Sequence, residues 1–317
     1  MNILFMGTPD FAVPSLRALL ERGLNVVAVV TQPDRPKGRK RELSPPPVKA
    51  FAQQRGLRVL QPEKLRSPDA VAAVTELAPD LIVTAAYGQI LPKAVLDLPR
   101  FGCVNVHGSL LPRYRGGAPI QRSIMNGEPV TGVTLMYMAE GLDTGDMIAK
   151  VEVPIGDDDT AGSIFAKLSD AGAELLIEWL PRLLDGTAPR IAQDDAEATY
   201  APNLTREDER IDWNRTARDI FNQVRGLHPM AGAFTFLNGE VFKVWGCRAP
   251  GETDARLAAE WAEAKPGTVL EAGADGIRVR TGDGSVVLTQ VQPAGKKALP
   301  AAEYARGARI APGTALG

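Results

Sequence analysis

Cysteine is nearly absent: Cys103 and Cys247 are the only two in 317 residues, and neither has a CxxC or CxxH companion. That excludes a disulfide scaffold, removes the ligand spacing of a zinc site, and fits a reducing, cytoplasmic setting. Long hydrophobic runs are missing too, since no apolar window approaches the roughly 20 residues that a membrane-spanning helix needs. The opening stretch "MNILFMGTPDF" has no basic region followed by a cleavage site, so it is expected to be a first strand and not a signal peptide. Neither sign of charge dominates, the formal net charge being −2. Any contact with nucleic acid therefore has to come from a local basic patch. Two nucleotide signatures are also lacking. Pro9 and Phe11 occupy the turn where a dinucleotide fingerprint needs glycines, and no GxxxxGK[ST] occurs anywhere.

What is present reads as two domains. Single cores stop growing at roughly 250–300 residues, and a chain with 44% hydrophobic and 23% charged residues folds as an ordinary globular protein. The first half alternates apolar runs with helix-like segments, from "NILFMG" and "FAVPSLRALLERG" to "DAVAAVTELAP" and "DLIVTAAYG". Runs such as Leu81 to Thr84 suit strands buried on both faces, so the fold class is α/β with a Rossmann-like, mainly parallel sheet. "TGVTLMYMAEGLDTGDMIAKVEVPI" predicts two more strands joined by a turn of Gly and Asp. A long amphipathic helix follows Thr160, its N-cap, with Ile164, Phe165, Leu168, Leu175, Leu176, Trp179 and Leu183 on one face. Pro181 should kink or fray its last turns, and Gly186 ends it. The first domain thus spans residues 1–186, and the polar, aperiodic residues 187–203 read as a linker. Residues 204–317 begin with a helix and continue as short strands, with hairpin signals at Asn238-Gly239 and Asp283-Gly284; a small OB-like β-barrel is expected.

In open α/β sheets a ligand binds outside the carboxyl ends of the strands. "FGCVNVHGS" predicts a strand that ends there, and alternation puts Asn105 and His107 on one face, Val104 and Val106 on the other. An asparagine amide donates to a developing oxyanion, and a histidine moves a proton near neutral pH. The loop "SLLPRYRGGAPIQ" adds Arg113 and Arg115, suited to carboxylate or phosphate. "EGLDTGD" offers Glu140, Asp143 and Asp146 as partners to orient His107, and spacing alone does not choose among them. Cys103 reads as a small buried strand residue. After the second strand comes "PDRPKGRKREL", with Arg35, Lys37, Arg39, Lys40 and Arg41. Charge runs are usually solvated loops, but this one leaves the sheet edge that carries the site.

Together, "NVHGSLLPRYRGGAPIQ" and "GLDTGDM" resemble the 10-formyltetrahydrofolate-dependent formyltransferases, and the similarity extends to "GTPDFA", "TQPDRPKGRKRELSPPPVK", "AYGQILP", "RIDW" and "QPAGKKA". By position, the resemblance implies that Asn105, His107 and Asp143 are catalytic and that Ser109, Leu110, Leu111 and Pro112 line the folate site. It implies 10-formyltetrahydrofolate as donor, initiator methionyl-tRNA as acceptor through its free α-amino group, no metal, and a formyltransferase domain followed by an OB-like tRNA-binding domain. The tRNA contacts expected are Arg35, Lys37, Arg39, Lys40 and Arg41, Arg39 foremost, with Lys296 and Lys297 in the second domain. A monomer with no membrane partner is expected. The second domain is close to charge balance, where a nucleic-acid platform is usually richer in Lys and Arg. Where the family carries an "NPWPG"-like stretch this chain has "HPMAG", and His228 keeps a structural reading. The competing readings are formyl transfer to a sugar-nucleotide amine or to glycinamide ribonucleotide, and a non-catalytic folate or RNA binder on the same fold.

Overall fold

Strands rich in Val, Ile and Leu on both faces can be satisfied only between two layers of helix, and the first half of the chain is built that way. The computed structural model describes residues 1–37, 42–248, 261 and 263–317. Its contacts divide the chain into two units: Met1–Pro119 with Val130–Pro154 and Phe165–Pro202, and Ile120–Pro129 with Ile155–Ile164 and Asn203–Gly317.

In chain order the first unit contains β1 (Ile3–Gly7), α1 (Val13–Glu21), β2 (Val26–Val30), the small hairpin β3 (Arg35–Lys37) and β4 (Glu42–Ser44), α2 (Pro47–Gln54) and β5 (Val59–Leu60). It continues with α3 (Pro68–Thr75), β6 (Leu81–Ala85), α4 (Lys93–Leu96) and β7 (Cys103–His107). After α5 (Pro119–Met125), which from Ile120 belongs to the second unit, come β8 (Val130–Tyr137), β9 (Met147–Pro154) and α6 (Ala161–Leu184), which belongs to the first unit from Phe165. The seven strands lie in the order β5-β2-β1-β6-β7-β8-β9. Pairing is parallel from β5 to β7 and antiparallel across β7, β8 and β9. β1 and β6 are buried at every position, as their uninterrupted apolar runs require. The mainly parallel α/β sheet expected from the sequence is therefore present.

Thr160 caps α6, its hydroxyl oxygen accepting from the Ser163 amide at 3.2 Å, and Gly186 leaves the helix end at φ +76°. The helix runs on past Pro181 to Leu184: the proline lacks only the N–H that Ile177 would have accepted, and Asp185 N still donates to Pro181 O at 3.0 Å. On its buried face Leu180, not Trp179, takes the core position, and Trp179 lies half-buried under the Arg182 guanidinium. Gly172 lets this helix approach the sheet, since a Cβ there would lie 2.6 Å from Val106 Cγ1 on β7.

The second unit contains α7 (Arg206–Glu209), α8 (Ala217–Leu227), β10 (Ala233–Leu237), β11 (Glu240–Arg248), β12 (Val269–Gly273), β13 (Gly276–Arg280), β14 (Ser285–Pro293), β15 (Leu299–Pro300) and α9 (Ala301–Ala308). Five strands pair antiparallel in the order β10-β11-β14-β13-β12, and β15 adds to β14. Asn238 and Gly239 both adopt positive φ, as a two-residue hairpin turn needs. The core is mainly aliphatic with Trp213 and Phe242 added, Ile220, Val224 and Leu227 of α8 sharing it with Val244, Val279, Leu288 and Val291 of the sheet. The bidentate pair Arg122–Asp208, at 2.6 and 2.9 Å, ties α5 to α7.

Candidate active site

β7 lies between β6 and β8, and its alternation separates two kinds of residue. Val104 and Val106 are buried towards one face, while Asn105 and His107 share the other. Asn105 pairs with Thr84 of β6, whose hydroxyl lies 2.8 Å from Asn105 Oδ1. The same hydroxyl also lies 3.1 Å from Val104 O, and Asn105 Nδ2 makes no hydrogen bond among the described residues. His107, only 6% exposed, ends the strand. Its Nε2 is 3.1 Å from Tyr114 O and its Nδ1 is 3.7 Å from Asp143 Oδ2. A carbonyl only accepts, so Nε2 carries the proton of the neutral ring, and Nδ1, facing the carboxylate, is the atom that takes up a second.

The structure separates the three acidic residues that spacing left equivalent. Asp143 sits beside His107, Asp146 lies 3.6 Å from Arg190, and Glu140 is exposed. Asp143 has φ +51°, in the left-handed region that aspartate tolerates better than most residues, and its Oδ2 accepts from Gly116 N at 2.8 Å.

Of the two arginines expected to meet an anion, Arg115 has a different role. It is 2% exposed, donating from Nε and Nη2 to Gln193 Oε1 at 3.1 and 2.9 Å and from Nη2 to Asp195 Oδ1 at 2.7 Å. Its guanidinium is thus committed inside the protein. Arg113 is exposed and lies over the Tyr114 ring. The segment read as a linker supplies Arg115's partners, and its backbone also pairs with the loop: Arg115 N donates to Thr199 O at 2.8 Å and Ala201 N to Arg115 O at 2.7 Å. Gln193 in turn donates to Asp143 O and Gly145 O at 2.7 and 2.8 Å. Sequence reasoning missed Gln193 because it lies in an aperiodic stretch, and nothing local marks its partners.

Ser109, Leu111 and Pro112 are buried and Leu110 is half-buried. Thr134 holds this loop, donating to Ser109 O at 2.7 Å and accepting from Leu111 N at 3.0 Å, while Lys150 Nζ donates to Leu111 O. Burial pushes the Cys103 thiol up to about 12, so it is no thiolate at neutral pH.

Arg35, at the start of β3, is exposed and 3.7 Å from Glu63, and Lys37 ends that strand. The Lys37 side chain and all of Arg39, Lys40 and Arg41 lie outside the described residues. The base of this loop is tied down by Asp34, whose oxygens accept from Lys49 Nζ at 2.8 and 2.7 Å and from Gln61 Nε2 at 2.8 Å. Lys296 and Lys297 are exposed on the turn before β15. Among the described residues no helix is long and apolar enough to cross a membrane.

Comparison with known proteins adds to this geometry. The sequence pattern of the family "Formyl transferase" matches residues 1–180, and that of "Formyl transferase, C-terminal domain" residues 203–309. A protein of Geobacillus thermodenitrificans named methionyl-tRNA formyltransferase is 56% identical over 320 residues, covering 100% of this chain and 98% of its own. One of the same name from Bacillus subtilis is 52% identical over 317 residues, with the same two coverages of 100% and 98%. Among solved structures, WlaRD, a sugar 3N-formyl transferase studied with dTDP and 5-N-formyl-THF, superposes with a TM-score of 0.67 at 19% identity, covering 94% of this chain and 99% of its own. At that identity the likeness speaks for the fold alone. On the match of both family patterns and of relatives more than half identical along the whole chain, this protein belongs to the formyl transferase family.

Proposed function

We propose that this chain transfers the formyl group of 10-formyltetrahydrofolate to the free α-amino group of initiator methionyl-tRNA, with Asn105, His107 and Asp143 carrying the chemistry. The observation that bears most weight is the gathering of three groups at one strand end: an asparagine whose side-chain nitrogen makes no hydrogen bond among the described residues, a histidine with Nδ1 facing Asp143, and the carboxylate beside that nitrogen. The amine nitrogen attacks the formyl carbon, and a tetrahedral oxyanion forms. Asn105 Nδ2 and protonated His107 Nδ1 donate to that oxygen where its charge develops. Asp143 stabilises the imidazolium and accepts the proton lost by the amine, directly or through water, and that proton is passed on to N10 as the bond from carbon to folate N10 breaks. No step needs a metal.

Folate is taken up against the segment Ser109, Leu110, Leu111 and Pro112, whose shape Thr134 and Lys150 hold. The acceptor RNA meets Arg35, Lys37, Arg39, Lys40 and Arg41 on the loop after β2, and Lys296 and Lys297 on the second unit. The enzyme acts in the cytoplasm as a single chain.

Single-turnover formylation of methionyl-tRNA tests the assignment. Asn105→Ala, His107→Ala and Asp143→Ala should each slow the transfer by about 10²–10³-fold, the usual effect of losing one stabiliser of an oxyanion. Near-normal rates would remove the assigned roles, and comparable turnover of glycinamide ribonucleotide or a sugar-nucleotide amine would remove the acceptor.

A further inference from the structure

Asp143 stands on a turn that has little packing of its own, since Gly141, Leu142 and Thr144 around it are exposed, Leu142 by 58%. A carboxylate that must meet a histidine nitrogen within a few tenths of an ångström needs an outside support. Gln193 provides one. A glutamine amide has two donors and two lone pairs, and here all four are used: the oxygen accepts twice from Arg115 and the nitrogen donates to Asp143 O and Gly145 O.

These bonds close a ring. The Asp143 carboxylate accepts from Gly116 N; the preceding residue is Arg115; its guanidinium holds Gln193; and Gln193 returns to the Asp143 carbonyl. One residue further back, Tyr114 O faces His107 Nε2. Residues 114–116 thereby position both members of the acid–base pair, and Gln193 is the only side chain in the ring that reaches the carbonyls flanking the left-handed turn. Being neutral, it also stands between a buried cation and Asp143, so the arginine steadies the turn without pairing directly with the carboxylate.

We propose that Gln193 is a positioning residue for formyl transfer, setting Asp143 against His107 Nδ1 by coupling the buried Arg115 to the Asp143 turn. The inference rests on the proposed role of Asp143. Gln193→Glu separates positioning from simple neutralisation of Arg115. The glutamate still accepts from Arg115, and pairs with it as an ion, but it turns lone pairs towards two carbonyl oxygens that need donors.

Steady-state kinetics of the full chain with methionyl-tRNA and 10-formyltetrahydrofolate read the result. Gln193→Glu and Gln193→Ala should each lower kcat by about 10–100-fold with either KM changed less than about threefold, the pattern of a misplaced group and not of lost binding. The pH profile of kcat should shift in both variants, which a purely structural loss of folded enzyme would not produce. In an Asp143→Ala background the same substitutions should change kcat less than about threefold, because the group they position is gone. Wild-type kcat and pH profile in both Gln193 variants would overturn the proposal, as would a full effect that persists without Asp143. If Asp143→Ala is crippled while Gln193→Glu is not, the positioning role alone fails; if Asp143→Ala keeps its activity, the assignment of Asp143 fails and takes this inference with it.

Discussion

Each unit buries an arginine, and the two do opposite things. Arg225, on α8 of the second unit, donates to Asn222 Oδ1 at 2.9 Å, Gly156 O at 2.6 Å and Asp159 O at 3.2 Å. Its partners are an amide on its own helix and two backbone carbonyls, so the cluster closes on itself and stitches residues 155–164 to the helix. Burial draws its pKa below the usual arginine value, and the charge is retained by those acceptors. Arg115 is as deeply placed, but its amide partner passes on to a turn bearing a carboxylate at the open end of a parallel sheet. A buried guanidinium among carbonyls makes structure. The same group one amide away from a titratable pair at a sheet edge is available to order chemistry.

The comparison breaks most decisively at Arg225. Arg225→Ala removes three hydrogen bonds, from two carbonyls and an amide oxygen, and opens a cavity, and should lower the stability of the chain by about 3–5 kcal/mol. Its kcat, measured well below the melting transition, should stay within about twofold of the parent; urea unfolding beside the formylation assay separates the two. A large kcat defect in fully folded protein would mean that the second unit's buried arginine also serves the chemistry.

A smaller effect sharpens the same contrast through pH. Hydrogen bonds from Arg122 hold the Asp208 carboxyl down at about 2, below its ordinary 3.8. A depressed folded pKa stabilises above the unfolded value, so this contribution is present in full above about pH 4 and is lost as pH falls through about 2. The pair is partly exposed, and the increment is on the order of 1–2 kcal/mol. Urea midpoints of Arg122→Met and the parent should differ at pH 7 and draw together between pH 4 and 2. A difference that does not change with pH would assign the stabilisation to packing of the arginine stem.

The smallest expected change concerns Lys296 and Lys297, surface charges with no such network. Replacing both by alanine should reduce the slope of log affinity for methionyl-tRNA against log salt by about 1–2 and leave stability within about 0.5 kcal/mol. An unchanged slope would remove them from the RNA contact.

Much of the fold was legible because its signals are local. Leu81 to Thr84 could only be a doubly buried strand, Thr160 announced the start of α6, and Asn238-Gly239 a two-residue hairpin. The pairing of Asn105 and His107 on one face followed from the two-residue period of a strand. α6 continues through Pro181 to Leu184, because proline's effect depends on whether the lost hydrogen bond and the ring clash fall inside a helix held by tertiary packing or near its free end. The segment 187–203 misled because its order comes from pairing with residues 115 and 147, which periodicity does not register.

The sequence by itself determined the elements, the strand end that carries His107, and the family, since these depend on nearest neighbours, on alternation and on whole-chain likeness. Among Glu140, Asp143 and Asp146 spacing chose none and the resemblance pointed to Asp143; the tertiary structure puts that carboxylate beside the imidazole, and it alone decided that Arg115 is buried and that Gln193 joins them. The reason is physical. A hydrogen bond between residues 50 to 80 positions apart depends on the placement of whole elements to within half an ångström, and that placement is set by the packing of the complete sheet and its helices.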